Sequence, residues 1–183
     1  MSLSIELLML NPLIMYISYR ASRLFFFLFC HELIIAAYYF QFVDNLDPCP
    51  LCILQRVCFA FMALFFLIAG LHNPGHKGHL RYNVLAFIPA AAGVYVAGTH
   101  TWLQHLPKDE VPTCGPGLNY LLDTLPVSDA FLQIFRGSGE CAEVSWRLYG
   151  FSMPEWTLAI FSGFTLMLIW MIWKGFKRRQ LPW

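Results

Sequence analysis

Four long apolar stretches constrain the fold of this chain more than any other feature of its sequence. Each is close to the roughly 20 residues that a helix needs to cross the hydrocarbon core of a bilayer. None shows the strict alternation of a membrane-barrel strand. Because lipid cannot hydrogen-bond the backbone, continuous helices are the expected structure. The predicted spans are residues 24–43, 53–71, 82–103 and 156–173.

The composition is that of a membrane protein. The 183-residue chain is 58% hydrophobic and 13% charged, whereas soluble domains are about 45–50% apolar and about 25% charged. Its formal net charge of +1 gives no indication of nucleic-acid binding. We therefore predict an all-α membrane protein, a four-transmembrane-helix bundle, with no nucleic acid among its partners.

The distribution of basic residues predicts the orientation. Lysine and arginine near span ends favour the cytoplasmic side. The loop 44–52 has neither, and the long loop 104–155 has three such residues against seven acidic ones. The remaining loop and the two ends of the chain are basic, with Arg20, Arg23, Lys77, Arg81, Lys174, Lys177, Arg178 and Arg179. Both termini are thus predicted to be cytoplasmic, and the loops 44–52 and 104–155 to face outward.

The sequence also predicts the domain bounds and the parts of the chain outside the four spans. Residues 1–19 are apolar but interrupted, and we expect an interfacial amphipathic helix or a poorly ordered extension rather than a fifth span. The four-helix domain covers residues 20–175, and a basic cytoplasmic tail covers residues 176–183. Within the long loop, residues 118–135 are apolar, too short to span and split by Pro126. They predict a short helix on the membrane surface.

The six cysteines divide into two groups. Cys30 and Cys58 lie inside spans, where a cysteine is usually a small buried residue with an inert thiol. The other four lie in the two outward loops, on the side of a membrane where disulfides persist, and they permit three pairings. These four are Cys49, Cys52, Cys114 and Cys141.

Cys49 and Cys52 form a C-x-x-C motif, which several chemistries use. The motif is half of a tetrahedral zinc site. However, Cys114 and Cys141 have 26 residues between them and do not form the other half, so we predict no metal. Haem attachment needs a histidine directly after the second cysteine, where this chain has Ile53.

Structural disulfides are the main alternative to redox chemistry. A Cys114–Cys141 bridge could clip the long loop and restrict its unfolded state. A Cys49–Cys52 bridge would close a small ring, gain little loop entropy, and be strained and easily reduced. The C-x-x-C spacing is typical of disulfides that open and close. Redox activity is therefore the favoured interpretation of Cys49 and Cys52.

The surroundings of Cys52 favour its thiolate, the reactive form of cysteine. Cys52 lies at the start of the second span, where helix N–H groups and the helix dipole stabilise negative charge. Pro50 suits a first helical turn, and Arg56 lies on the same helix face, four residues after Cys52. An arginine inside a membrane usually has a functional partner, predicted here to be the Cys52 thiolate or an acceptor oxygen beside it. The alternative is an arginine that extends to the interface as an anchor.

Two further polar residues are candidates for ligand contacts. Glu32, in the middle of the first span, could handle protons or contact a cofactor, or it could be protonated and bonded to a neighbouring helix. His100, near the outer end of the third span, could bond a ligand head group or simply lie at the interface. His31 is too deep to pair with His100 around a haem iron.

In its order of spans and motifs, the chain closely resembles the bacterial DsbB family of disulfide-forming membrane proteins. The resemblance covers about residues 20–175. It rests on "CPLCILQR", a C-x-x-C with arginine four residues after the second cysteine, and on "GSGECAEVSWRLYGFSMPEW" at the last span. It implies a multi-pass protein of the bacterial inner membrane, expected to be a monomer, with its outward loops in the periplasm.

The resemblance implies a reaction as well. Such a thiol:quinone oxidoreductase reoxidises a periplasmic DsbA-like protein of the thioredoxin fold and passes the electrons to a membrane quinone. Cys114 would accept the mixed disulfide from the donor. Cys141 would be the partner of Cys114 and would exchange with Cys49. Cys52 would then be released as the thiolate that reacts with the quinone.

The resemblance also identifies the cofactor as ubiquinone or menaquinone. Arg56 would stabilise the charge on the Cys52 thiolate and on the quinone. Glu32 and His100 are additional candidate quinone contacts.

Two alternative functions remain. A quinone reductase of the vitamin K epoxide reductase type is also a four-helix membrane redox protein. In that family, however, the redox C-x-x-C follows the loop cysteines, whereas here it precedes them. The alternative of a different class is a non-enzymatic membrane protein with structural disulfides only.

Overall fold

The structure is a computed structural model that describes residues 12–107, 109–112, 126 and 137–180. Its long helices are α1 (Pro12–Phe42), α2 (Pro50–His72), α3 (His76–Gln104) and α4 (Met153–Gln180). Within the described residues, four helices are long and apolar enough to cross a membrane. Each contains one predicted span to within a residue, so the prediction of a four-transmembrane-helix protein is confirmed.

The ends of the first and last helices differ from the expected boundaries. Residues 12–19 form the first turns of α1 rather than a separate extension, because a proline fits the first turn of a helix and here begins one. At the other end, α4 continues to Gln180 and takes in part of the expected tail. Residues 1–11 lie outside the described residues. The predicted surface helix within residues 118–135 also lies outside the described residues, apart from Pro126, and so does Cys114.

Neighbouring helices in the sequence are neighbours in space. Helix α1 packs on α2, α2 on α3, and α3 on α4. Aromatic rings fill the centre: Phe59 stacks on Phe161 with ring centroids 4.0 Å apart, and Phe26 contacts Phe164 at 5.8 Å. Because Phe26 belongs to α1 and Phe164 to α4, this contact closes the bundle.

Small residues on α3 let α4 approach closely. Ala86, Ala90, Gly93 and Ala97 are all buried on one face. A Cβ atom at Gly93 would lie 2.4 Å from the ring of Phe161, so only glycine fits there without movement. Stripes of small residues are a common basis of helix packing in membranes, where burial against lipid gives little driving force.

A short hairpin precedes α4. Its strands are β1 (Arg147–Leu148) and β2 (Phe151–Ser152), and the turn residues Tyr149 and Gly150 have φ values of 53° and 87°, as a tight hairpin turn requires. Trp146, just before β1, packs on Phe40 of α1 with ring centroids 5.1 Å apart. The sequence does not predict this hairpin, because two-residue strands are too short for an alternation pattern. It lies at what we term the loop end of the bundle, where α1 and α3 end and α2 and α4 begin.

Candidate redox site

The first turn of α2 is built around the C-x-x-C motif. Cys49 is the N-cap residue, with extended backbone angles (φ −66°, ψ 163°), and its sulfur accepts a hydrogen bond of 3.4 Å from the backbone N–H of Cys52. Pro50 occupies the first turn, where its missing N–H costs nothing. Both sulfurs therefore lie at the positive end of the α2 dipole, which favours negative charge on them.

Three cysteines meet at this point. The Sγ atoms of Cys49 and Cys52 are 3.2 Å apart, and Cys49 packs against the small buried cluster that contains Cys141. Cys141 lies in a short 3₁₀ helix (Gly139–Ala142), fully buried among apolar residues that include Leu51 and Leu103. Cys49 is therefore the cysteine that neighbours both others, and all three are free thiols in the structure.

Hydrogen bonding divides the protons unequally between Cys49 and Cys141. The pKa of Cys49 is raised, mainly because the neighbouring sulfurs of Cys141 and then Cys52 accept hydrogen bonding from the protonated thiol and disfavour a second negative charge. The pKa of Cys141 is lowered to about 6, first by that hydrogen bond from Cys49 and then by backbone groups of Ser138 and Leu51, against the opposing effect of burial. At neutral pH Cys141 is thus expected to carry negative charge while Cys49 keeps its proton.

His100 connects the sulfurs to a chain of buried polar groups. Its Nε2 is 3.7 Å from the Cys49 sulfur, and its Nδ1 lies 3.2 Å from the amide nitrogen of Gln55. The hydroxyl of Thr157 donates to the amide oxygen of Gln55 at 2.7 Å. His100 and Gln55 are both almost fully buried, so these hydrogen bonds offset the cost of burying polar groups. The chain joins α2, α3 and α4 and fixes the imidazole beside the cysteines.

Arg56 faces α1. Its guanidinium donates to the side-chain oxygen of Gln41 and, at 3.0 Å, to the carbonyl of Ala37, and it lies 5.0 Å from the ring centroid of Tyr38. Its hydrogen-bond partners among the described residues are therefore oxygen atoms of α1. Since the described residues accept from two of its five N–H groups, the cation has donors left for a ligand.

A cavity of about 160 Å³ opens beside these groups. Cys49, Cys52 and Arg56 line it, together with His100 and Gln55. Its apolar walls include Leu33, Ile34, Ala37, Phe40, Leu46, Phe59, Trp146, Met153 and Pro154. Polar residues also line it, namely Asp47, Gln104, Glu140, Glu143, Ser145 and Thr157. The site therefore offers an apolar pocket with a few convergent polar groups, the usual form of a small-molecule site.

Not every predicted site residue lies here. Glu32 is exposed on α1 and does not line this cavity, because α1 turns Leu33 and Ala37 toward it instead. Cys114 lies outside the described residues. Sequence reasoning missed Gln41, Gln55 and Thr157. All three are polar residues at or inside spans, a signal that generally marks functional positions in membrane helices.

The geometry agrees with comparisons to known proteins. A family model described as Disulfide bond formation protein DsbB matches residues 19–171. The chain belongs to the DsbB family. Among curated DsbB relatives, the protein named Disulfide bond formation protein B of Nitrosococcus oceani is 47% identical over 146 residues, which is 80% of this chain and 86% of the relative. Its namesake in Methylococcus capsulatus is 45% identical, covering 84% of this chain and 95% of the relative. That of Xanthomonas campestris pv. campestris is 43% identical, with coverages of 88% and 92%.

Membership of the DsbB family confirms the resemblance stated from the sequence motifs. The chain is a multi-pass membrane protein with four spanning helices, and it belongs to a family of disulfide-bond-forming oxidoreductases. Among the described residues, the cysteines of the loop end, Cys49, Cys52 and Cys141, lie close together.

Proposed function

We propose that this protein is a thiol:quinone oxidoreductase that reoxidises a periplasmic DsbA-like dithiol oxidase. Electrons pass from the donor to Cys114/Cys141, then to Cys49/Cys52, and finally to a membrane quinone. The observation that carries the proposal is the position of Cys49, whose sulfur lies 3.2 Å from the Cys52 sulfur and which packs against the cluster that contains Cys141.

The exchange steps balance as follows. A donor thiolate attacks Cys114 of a Cys114–Cys141 disulfide and forms a mixed disulfide, which the donor's second thiolate resolves. Cys141, released as a thiolate, attacks Cys49 of the Cys49–Cys52 disulfide and releases the Cys52 thiolate. The Cys114 thiolate, set free when the donor's mixed disulfide is resolved, then attacks Cys141, which re-forms the Cys114–Cys141 disulfide and releases Cys49. Cys49 and Cys52 return to a disulfide when their two electrons pass to the acceptor. Two electrons and two protons leave the donor dithiol in each cycle and are delivered to the quinone.

The electrostatics of the site favour this direction. Attack on Cys49 is feasible because Cys141 leaves the opened disulfide as a thiolate and Cys49 packs against the cluster that contains it. The backbone groups of Ser138 and Leu51, which also lower the pKa of Cys141, remain in place when Cys49 is part of a disulfide. Cys52 is the better leaving group of the motif, since it sits at the N-terminus of α2 beside His100. His100, held by Gln55, can donate a proton from Nε2 toward the sulfurs, and Arg56 supplies a fixed positive charge.

The residues of the cavity fit a quinone head group. Apolar walls suit the ring, and Arg56, His100 and Gln55 can hydrogen-bond its oxygens. A bound quinone would supply the acceptor for two electrons and two protons. Either ubiquinone or menaquinone meets these requirements. Glu32 has no part in the proposed contacts, because its exposed side chain lies off the cavity.

The proposed location is the bacterial inner membrane, with both termini cytoplasmic and the redox loops periplasmic. The support is the set of basic residues at the end of the bundle opposite to the cysteines. That orientation brings Cys49 and Cys141 to the compartment in which disulfides persist.

A turnover assay tests the proposal. The detergent-purified protein is mixed with a reduced periplasmic dithiol protein and a soluble quinone, and the loss of quinone absorbance is followed. We expect turnover in the wild type and in Cys58→Ser, and none in Cys52→Ser. Normal turnover in Cys52→Ser would contradict the relay, and absence of turnover in the wild type would favour the non-enzymatic alternative with structural disulfides.

A further inference from the structure

The redox cysteines and His100 also form a set of metal-ligating atoms. The sulfurs of Cys49 and Cys52 and a ring nitrogen of His100 all lie within 4.8 Å of one another. Two of the separations are 3.2 Å between the sulfurs and 3.7 Å from the Cys49 sulfur to Nε2. Thiolate and imidazole are the ligands that Zn²⁺ prefers.

These separations are close to those of a tetrahedral site. Zinc binds sulfur at about 2.3 Å and imidazole nitrogen at about 2.0–2.1 Å, which places neighbouring ligand atoms roughly 3.5–3.8 Å apart. The sulfurs would have to separate by about half an ångström, a rotation of the Cys52 or Cys49 side chain. No backbone movement is required for a shift of that size.

The surroundings complete the site. The other ring nitrogen of His100 contacts the Gln55 amide, which Thr157 holds in turn. Partners of this kind orient metal-binding histidines. With the amide reversed, Nδ1–H can donate to the Gln55 oxygen while the Thr157 hydroxyl donates to the carbonyl of Pro154, 3.0 Å away. Nε2 is then free to bind metal. Cys49, Cys52 and His100 all line the cavity, which has room for a water molecule as the fourth ligand.

We propose that the reduced protein binds one Zn²⁺ through Cys49, Cys52 and His100, with solvent as the fourth ligand. Binding withdraws both sulfurs from thiol chemistry. The oxidised protein has no thiolates at the motif and therefore has no such site, so metal capture is specific to the reduced form. The proposal rests on the ligand geometry and stands apart from the proposed function. Metal binding is measured without donor or quinone.

The test is metal binding to the purified, detergent-solubilised protein in a Cys114→Ser background. After reduction and anaerobic removal of the reductant, bound Zn²⁺ is measured by competition with a chromogenic chelator. Co²⁺ is then added as a spectroscopic probe of thiolate ligation and of tetrahedral geometry. We expect one equivalent of metal in the reduced protein and none in the oxidised protein. The intensity of the thiolate-to-cobalt band should correspond to two sulfurs.

Variants decide which residues bind the metal. Cys52→Ser and His100→Ala should each weaken binding at least about tenfold, while Cys58→Ser and His105→Ala serve as matched controls that keep full affinity. Cys141→Ser should also keep it, because Cys141 is not part of the three-residue set. Circular dichroism checks that each variant is folded. Binding of less than half an equivalent, or unchanged affinity in both Cys52→Ser and His100→Ala, would overturn the proposal.

Discussion

The first two turns of α2 and the middle of the same helix show how differently one membrane helix can treat a cysteine. In the first turns, Cys52 has the helix N-terminus beneath it and His100 and Cys49 beside it. Further along, Cys58 packs against the aromatic core, where no charged or hydrogen-bonding partner is described for it. The comparison indicates that the reactivity of a thiol in a membrane helix depends on the groups around it.

Two arginines at opposite ends of the bundle also differ in their surroundings. Arg56 lines the cavity and bonds oxygens of α1. Arg23 is only 3% exposed, and it contacts the sulfur of Met171 at 3.4 Å and the ring of Tyr19. A buried cation can thus serve packing alone, whereas one at a cavity that holds a redox group can serve chemistry.

The largest expected difference is in thiol reactivity. In the reduced protein at neutral pH, Cys52 should react with iodoacetamide at least about a hundredfold faster than Cys58, because the thiolate is the nucleophile and an apolar environment disfavours it. Mass spectrometry of digested samples gives both rates from a single experiment. Comparable rates would mean that the start of α2 does not activate its cysteine.

The second difference concerns the arginines. Arg56→Ala should lower kcat/KM for quinone about 10–100-fold, since hydrogen bonds to charged groups contribute about 1.5–3 kcal/mol. Arg56→Lys should recover part of the loss, because a lysine keeps the charge but not the forked geometry. Arg23→Met, a substitution of similar length at the opposite end, should leave kcat/KM unchanged. An equal loss of kcat/KM in Arg23→Met and Arg56→Ala would show that Arg56 has no special role in the reaction with quinone.

The third prediction concerns the hydrogen bond between Cys49 and Cys141. The bond stabilises the Cys141 thiolate, so its loss in Cys49→Ala should raise the pKa of Cys141 above its value of about 6, by about 1–2 units. Thiolate absorbance, followed against pH in a Cys52→Ser/Cys114→Ser background, measures the shift. Cys141→Ser should abolish the transition.

The sign of the linked stability effect follows from the depressed pKa. In the reduced protein, the Cys141 contribution is fully present above the ordinary thiol pKa of 9.0 and is lost as the pH falls through about 6. A transition that stays in place in Cys49→Ala would show that Cys49 is not the principal donor.

The smallest expected effect lies in the core. Gly93→Ala places a Cβ atom against the ring of Phe161 and should destabilise the protein by about 1–3 kcal/mol. Gly163→Ala on α4, where nothing lies within 4 Å of the new Cβ atom, is the matched control. Thermal unfolding in detergent compares the two. Gly93→Ala protein that remains folded should reduce quinone at the wild-type rate. That result would show that packing in the core affects stability without affecting the redox site at the loop end.

Much of this arrangement is predictable from sequence, but only where one helix carries the information. Hydropathy predicts all four helices, and the i to i+4 spacing places Cys52 and Arg56 on one face. The chain Thr157–Gln55–His100 joins three different helices. No periodicity within one segment predicts such a link, because it depends on how the helices rotate and pack. The contact between Cys49 and Cys141 was likewise implied only by the family resemblance.

The prediction of Glu32 as a ligand contact shows what the position of a residue in one helix leaves open. A charged residue in the middle of a span is a reasonable site candidate. Its side chain is nevertheless exposed, and the cavity is lined by Leu33 and Ala37 and not by Glu32. Sequence position fixes the depth of a residue in a helix, while only the packing of the helices fixes the direction that it faces.

The most direct test of the central claim, that Cys49 is the sulfur shared by two disulfides, is a disulfide map of the Cys52→Ser/Cys114→Ser variant. The reduced variant is oxidised mildly with glutathione disulfide, digested without reduction and analysed by mass spectrometry. We expect a Cys49–Cys141 bridge in most of the molecules, because Cys49 already packs against the cluster that contains Cys141. Recovery of Cys49 and Cys141 as free thiols, or as separate glutathione adducts, would contradict the claim.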